Sequence, residues 1–131
     1  MKYLLDTHIW LWSAMDAKRI LPRTARILGD PETELWLSPV SVWELTLLLR
    51  KGRFRVQPDI SSWVATTMSD LRLTEAPLTL EVMLAIPTIS FAHGDPGDQF
   101  LAATAKTFNL TLITADEHLL NLRGIDVLAN R

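Results

Sequence analysis

The sequence predicts an α/β protein in which a largely parallel sheet is covered on both faces by helices. Two observations carry this expectation. Short apolar runs of strand length alternate with longer segments of helical spacing, which implies crossover connections and hence parallel pairing. The 131 residues are 48% hydrophobic and 21% charged, ordinary values for one globular domain with a real core. A single domain over residues 1–131 is therefore expected.

The elements follow in order. Tyr3-Leu4-Leu5 reads as a short buried strand ending at Asp6-Thr7, and Ile9 to Ala14 as a helix carrying Trp10 and Trp12. Pro22 to Leu28 sets Ala25, Ile27 and Leu28 between arginines, and Gly29-Asp30-Pro31 stops it as a helix end does. Leu35-Trp36-Leu37 is a second strand. Ser38 suits a cap and Pro39 a first helical turn, so Val40 to Leu49 reads as a helix closed by Arg50-Lys51-Gly52. Gly52 to Pro58 reads as a basic loop. Ser61 to Leu71 is amphipathic through Trp63, Val64, Thr67, Met68 and Leu71. Glu75 to Leu78 is a weak third strand, and Thr79 caps a helix over Leu80 to Ile86. After Gly94 to Gly97 come a helix from Gln99 to Phe108, the clearest strand at Leu110 to Thr114, and a last strand at Val127-Leu128.

Composition narrows the chemistry. The chain has no cysteine, which excludes disulfides and thiolate metal sites and suits a reducing cytoplasm. The opening MKYLLDTHIW lacks the zones of a signal peptide, and no run reaches the roughly 18 apolar residues of a membrane span. A soluble, cytoplasmic protein without a membrane partner is expected. The net charge of −2 means that a nucleic-acid partner would need a local basic patch.

Asp6, Glu44, Asp98 and Asp116 each fall at the end of an apolar segment or, for Glu44, inside one. Carboxylates so placed are costly unless a cation gathers them, and a divalent metal ion is the economical candidate. Plain structural duties compete with that reading. Asp6 also suits the cap of the helix that follows it, and Asp116 the start of a short helix Glu117 to Leu120, where Thr114 and Glu117 match a capping box. Asp95 reads as a cap with Pro96 at the first helical position, and Asp98 then suits either the helix dipole or a ligand role. Glu44 has the weakest structural explanation. Its helical neighbours three and four residues away are Val40, Ser41, Leu47 and Leu48, so a solvated face does not account for it.

Asp6 in LLDTHIWLW, Glu44 in SPVSVWELTLLLRKGR, Asp98 in HGDPGDQFLAATA and Asp116 in LITADEHL together resemble the PIN-domain ribonucleases, most closely the VapC-type toxins of bacterial toxin–antitoxin pairs. The resemblance runs from Lys2 to about Leu128. It implies a three-layer α/β/α sandwich with a central, mainly parallel sheet of about five strands. It also maps Asp6, Glu44, Asp98 and Asp116 onto the acidic catalytic quartet that binds Mg²⁺ or Mn²⁺. On that mapping Asp6 and Asp98 are direct ligands, while Glu44 and Asp116 bind directly or through water. Thr114 matches a supporting hydroxyl near the site. The implied partners are a VapB-type antitoxin, an RNA substrate such as tRNA or rRNA, and a second copy of the chain in a homodimer.

Hard cations suit phosphodiester hydrolysis because negative charge builds on the phosphate as water attacks. Without metal, carboxylates crowded into one cleft repel, which should raise some of their pKa values. Arg50, Lys51, Arg53 and Arg55 suit phosphate contacts or, equally, a solvated helix end and loop. His8 is a candidate substrate contact, although a first-turn histidine is more often structural, and the same holds for His93 and His118. The five tryptophans fall within proposed strands and helices and read mainly as core or interface residues. Two other classes compare poorly. A non-catalytic PIN-like scaffold need not fill all four acidic positions, and an aspartate-based phosphatase needs a second aspartate where this chain has His8.

Overall fold

The computed structural model describes residues 1–91 and 94–131. Its strands are β1 (Lys2–Leu5), β2 (Glu34–Leu37), β3 (Leu73–Glu75), β4 (Thr111–Thr114) and β5 (Asp126–Ala129). All pair in parallel in one sheet of order β3-β2-β1-β4-β5, with Leu4 opposite Trp36 on one side and Leu112 on the other. Around it run α1 (Thr7–Met15), α2 (Pro22–Gly29), α3 (Pro39–Arg50), α4 (Ile60–Asp70), α5 (Leu80–Ala85), α6 (Pro96–Phe108) and α7 (Glu117–Leu120). Five parallel strands between helical layers match the sequence expectation.

The period-two alternation of strand side chains assigns the layers. Tyr3, Leu5, Leu35, Leu37 and Ile113 enter one core with Ile9, Trp10 and Leu11 of α1 and Leu45 of α3. Leu4 and Leu112 enter the other with Leu101 and Ala105 of α6 and Leu119 of α7. On the outside of α6, the small Ala102 and Ala103 let Val82 of α5 pack closely. Each fully buried leucine contributes about 1.5–3 kcal/mol, and truncating one such as Leu4 to alanine costs about 2–5 kcal/mol. Trp10 is completely buried, and its indole N–H donates to Thr67 Oγ1 at 3.0 Å, so its polar edge carries no desolvation penalty.

Local chemistry fixes the helix ends. Ser38 caps α3 by accepting from the Val40 N–H at 3.1 Å, with Pro39 at the first position. At the other end Gly52 takes φ +71°, and the N–H groups of Gly52 and Arg53 donate to the carbonyls of Leu49 and Leu48, a Schellman arrangement. Asp59, Thr79, Asp95 and Asp116 cap α4, α5, α6 and α7 in the same way as Ser38. Asn109, at φ 55°, ends α6 in the left-handed region.

Three of the boundaries that differ from expectation have a clear local cause. The third strand lies at Leu73–Glu75 rather than Glu75 to Leu78, because pairing with β2 ends where Ala76 N–H donates to the Leu37 carbonyl and Pro77 has no N–H to continue it. The helix from Leu80 stops at Ala85 and tightens into a 3₁₀ turn over Ile86–Thr88, around Pro87. The helix expected from Gln99 begins at Pro96, as the alternative reading of Asp95 as its cap required.

The chain's last strand is stapled back onto its first crossover. The buried Asn130 accepts from Leu21 N–H at 2.9 Å and donates to the Arg19 carbonyl at 3.0 Å. Its own N–H donates to the Thr114 carbonyl at 2.8 Å. Among the described residues no helix is long and apolar enough to cross a membrane.

Candidate metal centre

The strand order reverses direction about β1, which has β2 on one side and β4 on the other. Ligand sites of open parallel sheets form at such a switch point, beyond the carboxyl ends of the strands. Asp6 directly follows β1, and its N–H donates to the Ile113 carbonyl of β4 at 3.0 Å, so the β1–β4 ladder delivers it to that point. Asp116 lies two residues beyond β4. Glu44 comes from the second turn of α3 and Asp98 from the first turn of α6. The structure brings all four to one cleft of about 310 Å³, lined also by His8, Trp12, Asp95 and Ala115.

One half of the cleft is tied by hydrogen bonds. Asp6 Oδ1 accepts from Thr7 N–H at 2.7 Å and Oδ2 from the Thr114 hydroxyl at 2.6 Å. The same Thr114 oxygen accepts from Asp116 N–H at 3.0 Å, and Asp116 Oδ1 accepts from His118 N–H at 2.9 Å. Asp6 and Asp116 are thus helix caps and cleft carboxylates at once, since each carboxylate oxygen has a second lone pair. The expected capping box of Thr114 with Glu117 does not form. The cap is Asp116, because the Thr114 hydroxyl is taken up between Asp6 and the Asp116 N–H.

The other half rests on helix packing. Half-buried Glu44 accepts from the Thr7 hydroxyl at 2.6 Å, and Thr7 Oγ1 is 2.8 Å from Ser41 Oγ. Its carboxylate lies over the first turn of α6, so close that a Cβ at Gly97 would stand 2.9 Å from Oε2. Asp95 accepts from the Gly97 N–H at 2.9 Å and so aims the start of α6, with Asp98, into the cleft.

These surroundings favour protonation. Burial raises the Asp6 carboxyl above its ordinary value, against the opposing pull of its bonds from Thr114 and Thr7. Burial also raises Glu44, again against a hydrogen bond, that from Thr7. Asp98 is pushed up to about 7, first by burial and then by the charges of Asp95, Asp116, Asp6 and Glu44. Four carboxylates felt by a fifth mark a strongly anionic cavity whose donors are all hard oxygen atoms, the donor type of Mg²⁺ and Mn²⁺. The residues fit such an ion. The arrangement is open, however. Among the described residues no three acidic or histidine side chains already converge on one point at ligand distance.

The remaining candidates divide. His8 is exposed at the cleft and packs against Trp12, whereas Arg50, at the end of α3, and Lys51, Arg53 and Arg55 beyond it are exposed and do not line the cleft. His93 lies outside the described residues. Sequence reasoning passed over Thr7, Ser41, Gly97 and Trp12. Ser41 offered a signal, being the sole polar residue among the helical neighbours of Glu44. Trp12 offered one in helix phase, since it stands two residues, over half a turn, from the buried Trp10.

The family profile described as PIN domain matches residues 3–125. The ribonuclease VapC22 of Mycobacterium tuberculosis is 27% identical over 117 residues, 88% of each protein. VapBC2 from Rickettsia felis, bound to a DNA fragment from its promoter, contains a chain that superposes with a TM-score of 0.76 at 15% identity, covering 98% of both chains. VapBC-5 from Mycobacterium tuberculosis, a member of the VapBC family of toxin–antitoxin systems, gives 0.60 at 17% identity over 99% of this chain and 98% of that one.

Proposed function

Because the chain belongs to the PIN domain family, we propose that it is a metal-dependent endoribonuclease and the toxin of a VapBC-type pair, working as a single domain. The observation that carries the reading is the meeting of Asp6, Glu44, Asp98 and Asp116 in one cleft at the switch point of the sheet. The toxin role draws on the likeness to VapC22 and to the VapBC structures. By the same likeness the partners are a VapB-type antitoxin, a second copy of the chain and RNA. The expected compartment is the cytoplasm.

Asp6 and Asp98 would hold Mg²⁺ or Mn²⁺ directly, with Glu44 and Asp116 completing the shell directly or through water. When bound, such an ion supplies Lewis-acid stabilisation of the charge that builds on the scissile phosphate. The chain's own residues prepare the place. Thr114 Oγ1 sets the spacing between Asp6 and Asp116 by bonding to both, and the Thr7 hydroxyl fixes the direction of Glu44. The Asp98 carboxyl, pushed up to about 7, would have to give up its proton to hold a cation, so loading would be pH-dependent. The exposed His8, and Arg50, Lys51 and Arg53 farther out, are the offered contacts to RNA phosphates.

Asp6→Asn and Asp98→Asn are expected to fold yet lose Mg²⁺-dependent RNA cleavage. Full cleavage by either purified variant would sink the assignment. Expression of the wild type without a partner should slow growth, and the same substitutions should relieve it; undiminished toxicity would reject catalysis as its cause.

A further inference from the structure

Two rings, His8 and Trp12, complete the lining of the acidic cleft without being needed to hold a cation. They stand one turn apart on α1, ring centroids 5.7 Å from each other and planes inclined at 54°. Trp12 is half-buried and anchored against the main core, so its position is set before any ligand arrives. The Arg19 guanidinium lies over the indole, 4.9 Å from the ring centroid. The Arg19 side chain is 58% exposed and also forms a 3.9 Å ion pair with Asp16. The indole thus has one side against the core, an exposed guanidinium over the ring, and a part that lines the cleft.

An RNA strand entering this cleft brings two unlike parts. Its phosphates are repelled by the carboxylates until a cation is present, whereas its bases are uncharged and stack on any aromatic face. An anchored indole beside the metal centre thus gives the strand a favourable contact at the place where its backbone has none, and a preset ring loses little freedom on binding. We propose that Trp12, flanked by His8, is a stacking platform for one unpaired nucleobase next to the scissile phosphate. The base takes the part of the indole that lines the cleft, beside the ring-bound Arg19 guanidinium. A base within a duplex is already stacked on both sides, so the platform selects looped-out or single-stranded nucleotides. The inference rests on the nuclease reading and names the feature of RNA that the site takes.

The test uses a short unstructured RNA carrying a single abasic position, stepped along the chain one nucleotide at a time. For the wild type, one abasic position beside the cut should lower kcat/KM by about 10- to 100-fold. Trp12→Leu should lose about that much on intact RNA and then show almost no further abasic penalty, because the partner of the base is already gone. Trp12→Phe, a smaller ring that keeps the fold if the leucine variant does not, should retain part of the penalty. A Trp12→Leu enzyme that keeps the whole penalty, a Trp12→Phe enzyme whose penalty equals the wild type's, or a wild type indifferent to every abasic position overturns the platform. If the wild type cuts no RNA, the nuclease reading fails separately. Fluorescence anisotropy of the same RNAs bound in Mg²⁺ then decides the platform on the same pattern.

Discussion

The two halves of the acidic cleft solve one electrostatic problem differently. Around Asp6 and Asp116 the charges are met by short hydrogen bonds from Thr7, Thr114 and His118, all within or next to strand ends. Around Glu44 and Asp98, on two helices, Glu44 accepts from the Thr7 hydroxyl at 2.6 Å, while burial and then the neighbouring carboxylates push Asp98 up to about 7. On the proposed reading as a metal centre, the strand half would fix geometry and the helix half would supply the drive for binding.

The sharpest way to break the comparison is to follow stability against pH in a chelator. Unfolded, Asp98 ionises near pH 4; folded, it keeps its proton up to about 7. Between those values the folded chain holds a proton that the unfolded chain has lost. The stabilising contribution is therefore complete at the acid end and disappears as the pH rises through 7. Between pH 5 and 8 the metal-free wild type should lose about 2 kcal/mol, after discounting for solvent in the open cleft, or roughly 5–10 °C in Tm. Excess Mg²⁺ should flatten that slope, and Asp98→Asn should remove most of it without metal. An Asp98→Asn protein that melts below the wild type at pH 8 in chelator would show that the helix half is not under repulsion.

Thr114→Val probes the strand half. It takes a donor from buried Asp6 and an acceptor from the Asp116 N–H, so the fold should lose about 1–3 kcal/mol by denaturant titration. Cleavage should fall about 10- to 100-fold. Equal stability with full activity would mean that the strand half is no more organised than the other.

Thr7→Val is the mildest. It releases Glu44 and Ser41 and leaves the residue 7 N–H donating to the Asp6 cap as before. Stability should change by less than about 1 kcal/mol, and cleavage should drop by about tenfold, appearing as a higher Mg²⁺ requirement. A drop that saturating Mg²⁺ fails to narrow would assign Thr7 a role other than holding Glu44.

Much of this was legible in the sequence because it is local. Caps, proline positions and apolar alternation depend on neighbours within a turn, and they placed four of the five strands, the helix start at Ser38 and the capping role of Asp95. The choice between cap and cleft residue for Asp6 and Asp116 was not separable for a physical reason: one carboxylate does both. What stayed hidden depends on distant packing. Thr7 reaches Glu44 across 37 residues of chain, a pairing set by how α1 meets α3. The third strand was misplaced because Ala76 still pairs with β2 although Pro77 cannot. Trp12 looked like core because its composition does, while only the helix phase turns it toward the cleft.

The bond between Asp6 and Thr114 has a consequence in time. The two residues are 108 positions apart, so β4 is laid beside β1 only after all the chain between them has been made. Until then Asp6 lacks the Thr114 hydroxyl that bonds it in the folded chain. The cleft closes only when β4 and the stapled Asn130 segment dock. A chain that has not yet laid β4 beside β1 has no complete acidic cleft.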